Sequence, residues 1–398
     1  MNLNWAPVYA LSVTQVISWG TLYYAFSVLL IPMGTELGWR QSEMVGAFSL
    51  SLLLTGVSTF VCGLAVQRWG GRRLMAGGSV LAALAILSVS RSHTLPLFYL
   101  SWATAGIAMG ATLYETAFSV LAGVYEAEYK KAVTTVTLAG GLASTVFWPA
   151  TEWLVTQWGW QTALEIYAVL HLAVCLPLHW RFLPRQMYRP GPAAGMAAWG
   201  REIKELIRTP RFQLLAGSYV LSAIVFSAVS VHLVPLLLSR GMGTRDAAWL
   251  AAAAGPMQVA GRIVEFRWGA RWQAAETGRV VLAILVPAML LLAWGGQDVA
   301  VLATGVALYG ASNGVMTIVR SVSITEAFGR ERYPVISGAL MGPAIIARAI
   351  GPLAASLVLA ASGGYQEVMA MLSLVSAGAL LLYIYGMRDH ARSRRSVQ

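Results

Sequence analysis

Apolar residues along this chain run in long blocks, and polar residues gather in short breaks between them. Residues 211–265 hold only Arg211, Arg240, Arg245, Asp246, Arg262 and Glu265 as charges. A one-sided stripe of period 3.6 marks a helix lying on a core, whereas an uninterrupted block marks a helix crossing a bilayer. In hydrocarbon each backbone N–H and C=O needs an internal partner, and runs of this length find those partners as helices. The alternating segments of a membrane barrel are absent. Breaking the chain at charges, Gly-Pro pairs and turn clusters predicts twelve spans, at 7–34, 43–66, 73–90, 96–124, 132–155, 163–183, 212–239, 246–265, 277–294, 298–322, 334–359 and 364–387. The opening "MNLNWAPVYALS" has no basic segment ahead of its apolar run, so it reads as the first span and not as a removable signal.

The longest polar stretch is 184–211, where Pro184, Pro190, Pro192 and Pro210 limit regular structure. Within it Trp199, Ile203, Leu206 and Ile207 share one helical face, opposite Arg201, Glu202, Lys204, Glu205 and Arg208. This pattern predicts a short helix lying on the membrane surface. It divides the chain into a first six-helix bundle at 1–183, a linker at 184–211 and a second six-helix bundle at 212–398.

Composition agrees with the pattern. Of 398 residues 57% are hydrophobic and 11% charged, against about a quarter charged in a soluble domain. The net charge of +11 sits in clusters between spans, not on an aromatic-interleaved face, which argues against nucleic acid as a partner. Positive residues accumulate in cytoplasmic loops. With both termini inside, the inner segments hold twenty-one Lys and Arg and the outer loops four, Arg40, Arg91, Arg240 and Arg245. Arg262, Arg320 and Arg348 remain inside spans. Cys62 and Cys175 lie in apolar runs, with no disulfide framework or metal-ligand spacing, and read as packing residues. No cofactor is expected.

The halves resemble each other. "FSVLLIP" at 26–32 matches "VSVHLVP" at 229–235, and "GATLYETAFSVLAGVYEA" at 110–127 aligns without gaps to "GASNGVMTIVRSVSITEA" at 310–327. Gly63, Gln67, Gly71 and Arg73 match Gly261, Glu265, Gly269 and Arg271. The offsets of 203, 200 and 198 keep one order, on spans 1/7, 4/10 and 2/8, which is the mark of a six-plus-six duplication.

Together these features resemble the major facilitator superfamily, over essentially the whole chain. The most specific piece is "GLAVQRWGGRR" at 63–73, similar to the superfamily's signature between spans 2 and 3, with Gln67 where the signature is acidic. The resemblance implies two pseudo-symmetric six-helix bundles, an all-α membrane protein. It also gives Gly63, Gln67, Arg72, Arg73, Glu265 and Arg271 a gating role, with Arg72, Arg73 and Glu265 holding one closed state. A narrower resemblance, to the monocarboxylate-porter and oxalate/formate-antiporter branch, rests on "EYKKAVTTVTLAGG" at 128–141, "VHLVPLLLSRG" at 231–241 and "GPMQVAGR" at 255–262. Gln258 stands where animal members of that branch have an acid, and span 1 lacks their basic residue while keeping Trp19-Gly20.

Charges within hydrocarbon cost several kcal/mol and so face a cavity or a partner. Arg348 is near the middle of span 11, and a guanidinium offers a planar fork to a carboxylate. Backbone carbonyls released by Pro343 or Pro352 are the competing partners. Arg320 and Arg262 lie nearer the cytoplasmic ends of spans 10 and 8, as cargo or gating residues or as interface arginines. Glu115 on span 4 is the proton-carrying candidate, with His232 on span 7 behind it. Asn313, Gln15 and Gln258 lie at cavity depth, and Trp19, Tyr23 and Tyr114 are wall or packing aromatics. Superfamily geometry would let Glu115 pair with Arg320 in one state. The small residues of "LAGGLAST" at 138–145 and "SGALMGPAIIARAIGP" at 337–352 predict close helix contacts at the moving seam.

The expected function is alternating-access transport of a small organic anion, coupled to a proton or to a counter-anion, by a monomer in a bacterial inner membrane. Efflux of lipophilic or cationic drugs is the alternative. Against it, "VFWPATEW" at 146–153 lacks the Gly-Pro and trailing glycines of drug/proton antiporters. A non-transporting membrane sensor is the alternative of another class. No nucleophile-base set, metal cluster or nucleotide-binding domain points to an enzyme.

Overall fold

The apolar blocks are helices in the computed structural model, which describes residues 4–125, 128–185, 205–268, 273–328 and 333–388. The first half contains α1 (Ala6–Trp19), a π-helical turn (Gly20–Tyr24), α2 (Ala25–Leu37), α3 (Gln41–Ser90), α4 (Leu95–Thr112), α5 (Tyr114–Ala122) and α6 (Tyr129–Gly140). It continues through α7 (Ala143–Leu170), a second π-helical turn (His171–Cys175) and α8 (Leu176–Phe182). The second half contains α9 (Pro210–Ser239), α10 (Thr244–Ala252), α11 (Ala254–Trp268), α12 (Ala274–Trp294), α13 (Val299–Phe328), α14 (Tyr333–Ser362) and α15 (Tyr365–Gly386). Among the described residues there is no strand.

Two glycines interrupt the longest helices. Helix α3 counts 50 residues, which unbroken would measure about 75 Å against a hydrocarbon core of roughly 30 Å. It breaks at Gly70, with φ 77° and ψ 158°. Helix α7 breaks at Gly159, with φ 83° and ψ 165°. A Cβ disfavours both conformations, so each break depends on glycine.

Among the described residues ten stretches are long and apolar enough to cross a membrane, fewer than the twelve blocks in the sequence, for two reasons. The blocks at 132–155 and 163–183 join in one stretch, Tyr129–Phe182, broken internally at Gly159. The block at 246–265 divides into α10, of 9 residues, and α11, of 15, each too short by itself.

The chain packs as two compact units, Met1–Pro190 with Ser230–Gly255, and Gly191–Val229 with Pro256–Gln398. The sequence divides at 184–211, but side-chain contacts carry Ser230–Gly255 into the first unit. The Tyr23 and Ser230 hydroxyls are 2.7 Å apart, and Thr244 Oγ1 donates to the Glu152 carboxylate at 2.9 Å. Thr145 Oγ1 donates to the Ala252 carbonyl at 3.2 Å. A Cβ at Gly255 would stand 2.0 Å from Thr145 Oγ1 and 3.1 Å from the Gly141 carbonyl, so the small residues of 138–145 do serve a close approach. Gly351, from the second small-residue stretch, instead packs inside its own unit, where a Cβ would lie 2.6 Å from the Ile224 carbonyl.

A buried polar column braces the first unit. Thr14, Ser18 and Thr21, at helical spacing on α1 and its π turn, are matched by His179, Cys175 and His171, all buried. Thr21 Oγ1 lies 2.8 Å from His171 Nε2 and donates to the Ile17 carbonyl at 2.8 Å, so it accepts the imidazole N–H. His179 Nε2 is 3.0 Å from Thr14 Oγ1, and its Nδ1 is 2.8 Å from Ser79 Oγ. Ser18 lies beside the Cys175 thiol. The threonine and Ser79 contacts satisfy polar groups that burial would otherwise penalise, while Ser18 Oγ and His171 Nδ1 have no hydrogen-bond partner among the described residues.

The second unit is built on Phe212, Leu215, Tyr219, Leu282, Met316 and Tyr383. The Tyr383 hydroxyl donates to the Ala274 carbonyl at 2.8 Å, and Ser218 Oγ to the Ala379 carbonyl at 2.8 Å. Most of the amphipathic segment expected around 199–208 lies outside the described residues; Leu206 packs against this core.

Candidate functional site

In the first unit the π turn sets the site. An extra residue per turn there re-aims the side chains around it, a common device at functional positions. Trp19 stands 5.3 Å from Tyr23 and 5.1 Å from Tyr114, ring centre to ring centre, and Tyr114 stacks on Phe118 at 5.3 Å. Two glycines admit this cluster: a Cβ at Gly20 would fall 2.1 Å from the Phe147 ring, and one at Gly140 would fall 2.2 Å from the Tyr114 hydroxyl. The Trp19 indole N–H is buried and has no acceptor among the described residues.

Glu115 sits beside this wall. Span 4, predicted as one helix, is broken at Leu113, with φ −82° and ψ −172°, between α4 and α5. Side chains hold the break: Gln15 Nε2 donates to the Thr112 carbonyl at 2.6 Å, and Thr116 Oγ1 to the Gly110 carbonyl at 2.6 Å. Gln15 is therefore a structural brace. Glu115 falls on the first turn of α5 and is exposed, not enclosed as its place in an apolar block implies. His232 is fully buried, with Nδ1 3.4 Å from Gln41 Nε2.

In the second unit the three arginines have different surroundings. Arg262 is 9% exposed, and its Nε donates to the Gly314 carbonyl at 3.2 Å. It belongs to a close helix contact, because a Cβ at Gly314 would lie 2.3 Å from the Gln258 carbonyl and one at Gly261 2.9 Å from the Ala311 carbonyl. Gln258 is buried in the same contact. Arg320 and Asn313 are half-buried on α13.

Arg348 is exposed. It is the sixteenth residue of α14, whose 30 residues place it about 21 Å from either end. The exposed Ile346 and Ile350 lie two residues to either side, which at 100° per residue puts both on the opposite face. On Arg348's own face Ala344, Gly351, Pro352 and Ala355 are buried and Ile345 is half-buried. The guanidinium thus opens from the face turned away from lipid-like exposure, and among the described residues it has no hydrogen-bond or ion-pair partner.

In the signature segment, Arg72 has its partners within its own unit. Arg72 Nε donates to the Leu183 carbonyl at 2.8 Å, and its N–H to the Pro184 carbonyl at 3.1 Å, so Arg72 caps the end of α8 within the first unit. Arg73 is exposed and Glu265 half-buried. Gly63 and Gln67 lie on α3, where a Cβ at Gly63 meets nothing within 4 Å; Arg271 lies outside the described residues. The sequence reading passed over His171 and His179, although their spacing of eight with Cys175 midway was the available signal.

Broken and π-bulged apolar helices, with an aromatic wall in the first unit and a mid-helix cation in the second, mark a polytopic membrane protein. The chain belongs to the Major Facilitator Superfamily, whose sequence profile matches residues 11–296. It is 30% identical over 204 residues to monocarboxylate transporter 11 of Homo sapiens, covering 50% of this chain and 42% of that one. It is 25% identical over 321 residues to monocarboxylate transporter 13 of Bos taurus, covering 79% and 72%. The chain thus spans under half of the first relative's length. The crystal structure of the nucleoside transporter NupG superposes with a TM-score of 0.76 at 14% identity, over 97% of this chain and 99% of that one.

Proposed function

We propose that this transporter moves a small organic anion, monocarboxylate-like, by alternating access, driven by a co-moving proton or by exchange for a second anion. The observation that carries this reading is Arg348: a central guanidinium, open on the face of α14 away from Ile346 and Ile350, with no protein counter-charge among the described residues. A cation held so deep in a span needs an anion, and a cargo carboxylate supplies one through two parallel hydrogen bonds. The names of the relatives point to the same cargo class.

We read the membrane path as twelve crossings. Tyr129–Phe182 then counts twice, on either side of Gly159, and α10 with α11 supplies the remaining one. Both termini and the linker face the cytoplasm of a bacterial inner membrane, as the positive charges ask, and the monomer is the working unit. Glu115, exposed on α5, carries the proton, and Arg320, Asn313 and His232 serve cargo and coupling.

The test is binding to purified Arg348→Lys, which keeps the charge and loses the fork. Thermal-shift titration with small monocarboxylates should show affinity lower by on the order of ten- to hundredfold, the worth of a charge-assisted hydrogen bond. Wild-type affinity in that variant, or stabilisation of the wild type by lipophilic cations alone, would end the proposal.

A further inference from the structure

The outer surface of the first unit carries a groove that cargo transport does not use. It encloses about 500 Å³ and is lined by Cys62, Trp69, Arg73, Gly77, Ile107 and Ala111, among others. That volume lies within the roughly 300–1,000 Å³ of small-molecule sites. Arg73, Gly77 and Leu81 recur at every fourth residue of α3, so they form one stripe about 12 Å long. The stripe begins at a cation beside Gly70 and runs into apolar walls.

Two adjacent glycines lining the groove do different things. A Cβ at Gly78 would lie 2.8 Å from the Ala111 and Thr112 side chains, so Gly78 seals α3 against α4. A Cβ at Gly77 meets nothing within 4 Å, so Gly77 leaves the floor of the groove open. The groove faces outward, since Trp69 is 52% and Ile107 45% exposed. In a bilayer that opening meets acyl chains. Trp69 directly precedes the break at Gly70, between two predicted spans, a place where a tryptophan would anchor to headgroups. Arg72 is occupied by the Leu183 and Pro184 carbonyls, which leaves the exposed Arg73 as the cation at the groove's mouth, with Arg68 exposed nearby.

We propose that this groove is a binding site for one anionic phospholipid, with the phosphate on Arg73 and an acyl chain along Gly77 toward Leu81. Charge complementarity selects the occupant, because a guanidinium mates bidentately with phosphate and basic pockets at span ends hold acidic lipid headgroups. A neutral hydrocarbon would fill the walls and leave the cation unused. The site rests on the membrane-crossing fold alone and stands whatever the cargo is.

Native mass spectrometry of the full chain in detergent tests this with phosphatidylglycerol and phosphatidylcholine as the probes. Wild-type protein should retain one phosphatidylglycerol in preference to phosphatidylcholine. Gly77→Leu fills the groove from a position with open space and strengthens the helix; it should weaken phosphatidylglycerol retention at least tenfold at unchanged thermal stability. Arg73→Gln should abolish the preference between the two lipids while leaving chain binding. Should Gly77→Leu misfold, Arg73→Gln decides alone. Equal retention of both lipids by the wild type, or an unaltered preference in Arg73→Gln, would overturn the site, as would wild-type retention in folded Gly77→Leu.

Discussion

Arg262 and Arg348 show how much one residue type depends on its neighbours. Arg262 is nearly buried and hydrogen-bonded into the contact of α11 with α13, whereas Arg348 opens from the middle of α14. Arg262→Leu should therefore cost stability, about 1.5–3 kcal/mol for a hydrogen bond from a charged donor. Chemical denaturation in detergent would read this as a lower midpoint, with cargo affinity of the folded fraction unchanged. Lost affinity at an unchanged midpoint would instead place Arg262 in the cargo site. The sequence singled out both arginines because a charge in an apolar block stands out, and it put Arg348 first as the one deeper in its span, but it did not show what Arg262 packs against. Which face of a helix meets a neighbour is decided by residues far along the chain, such as Gly314 against Gln258. His171 and His179 escaped notice for the complementary reason. A histidine in an apolar run looks alike whether idle or bonded, and residues far along the chain, Thr14 and Ser79 for His179 and Thr21 for His171, give these two their partners.

At the scale of the helix, the breaks are where pattern reading stopped. Gly70 and Gly159 fall between predicted spans, and their left-handed backbone marks the same places in the structure. Span 4 has no such residue at its break. Leu113 is interrupted by tertiary hydrogen bonds from Gln15 and within 110–116, which no local pattern encodes. The break matters for Glu115, which it leaves on a first helical turn, exposed and accessible to protons. If Glu115 carries the coupling proton, wild-type net uptake should rise as the external pH falls, because the proton enters with the anion and the empty carrier returns only after releasing both. Glu115→Gln should flatten that pH profile while exchange between equal anion pools persists. Retention of the wild-type pH profile would move the proton to His232, and loss of both activities in folded protein would make Glu115 part of the cargo site.

For the whole molecule, the apolar helical blocks were legible early because bilayer physics leaves few options. What the sequence did not disclose is that Ser230–Gly255 packs with the first unit, through Tyr23, Gln41, Thr145 and Glu152. Orientation is testable with single cysteines at Lys130 and Gln297, exposed positions on opposite sides of the proposed path, since both native cysteines are buried. An impermeant maleimide should label them from opposite faces of the membrane; labelling from one face would contradict the twelve-crossing path. The central claim, a transporter of small organic anions, meets its most direct test in flux. Purified protein in liposomes, given radiolabelled small monocarboxylates outside and an inward proton gradient, should accumulate label faster than protein-free liposomes, and Arg348→Lys should need on the order of ten- to hundredfold more substrate for the same rate. Uptake no faster than in protein-free liposomes, or uptake of a lipophilic cation in its place, would contradict the account.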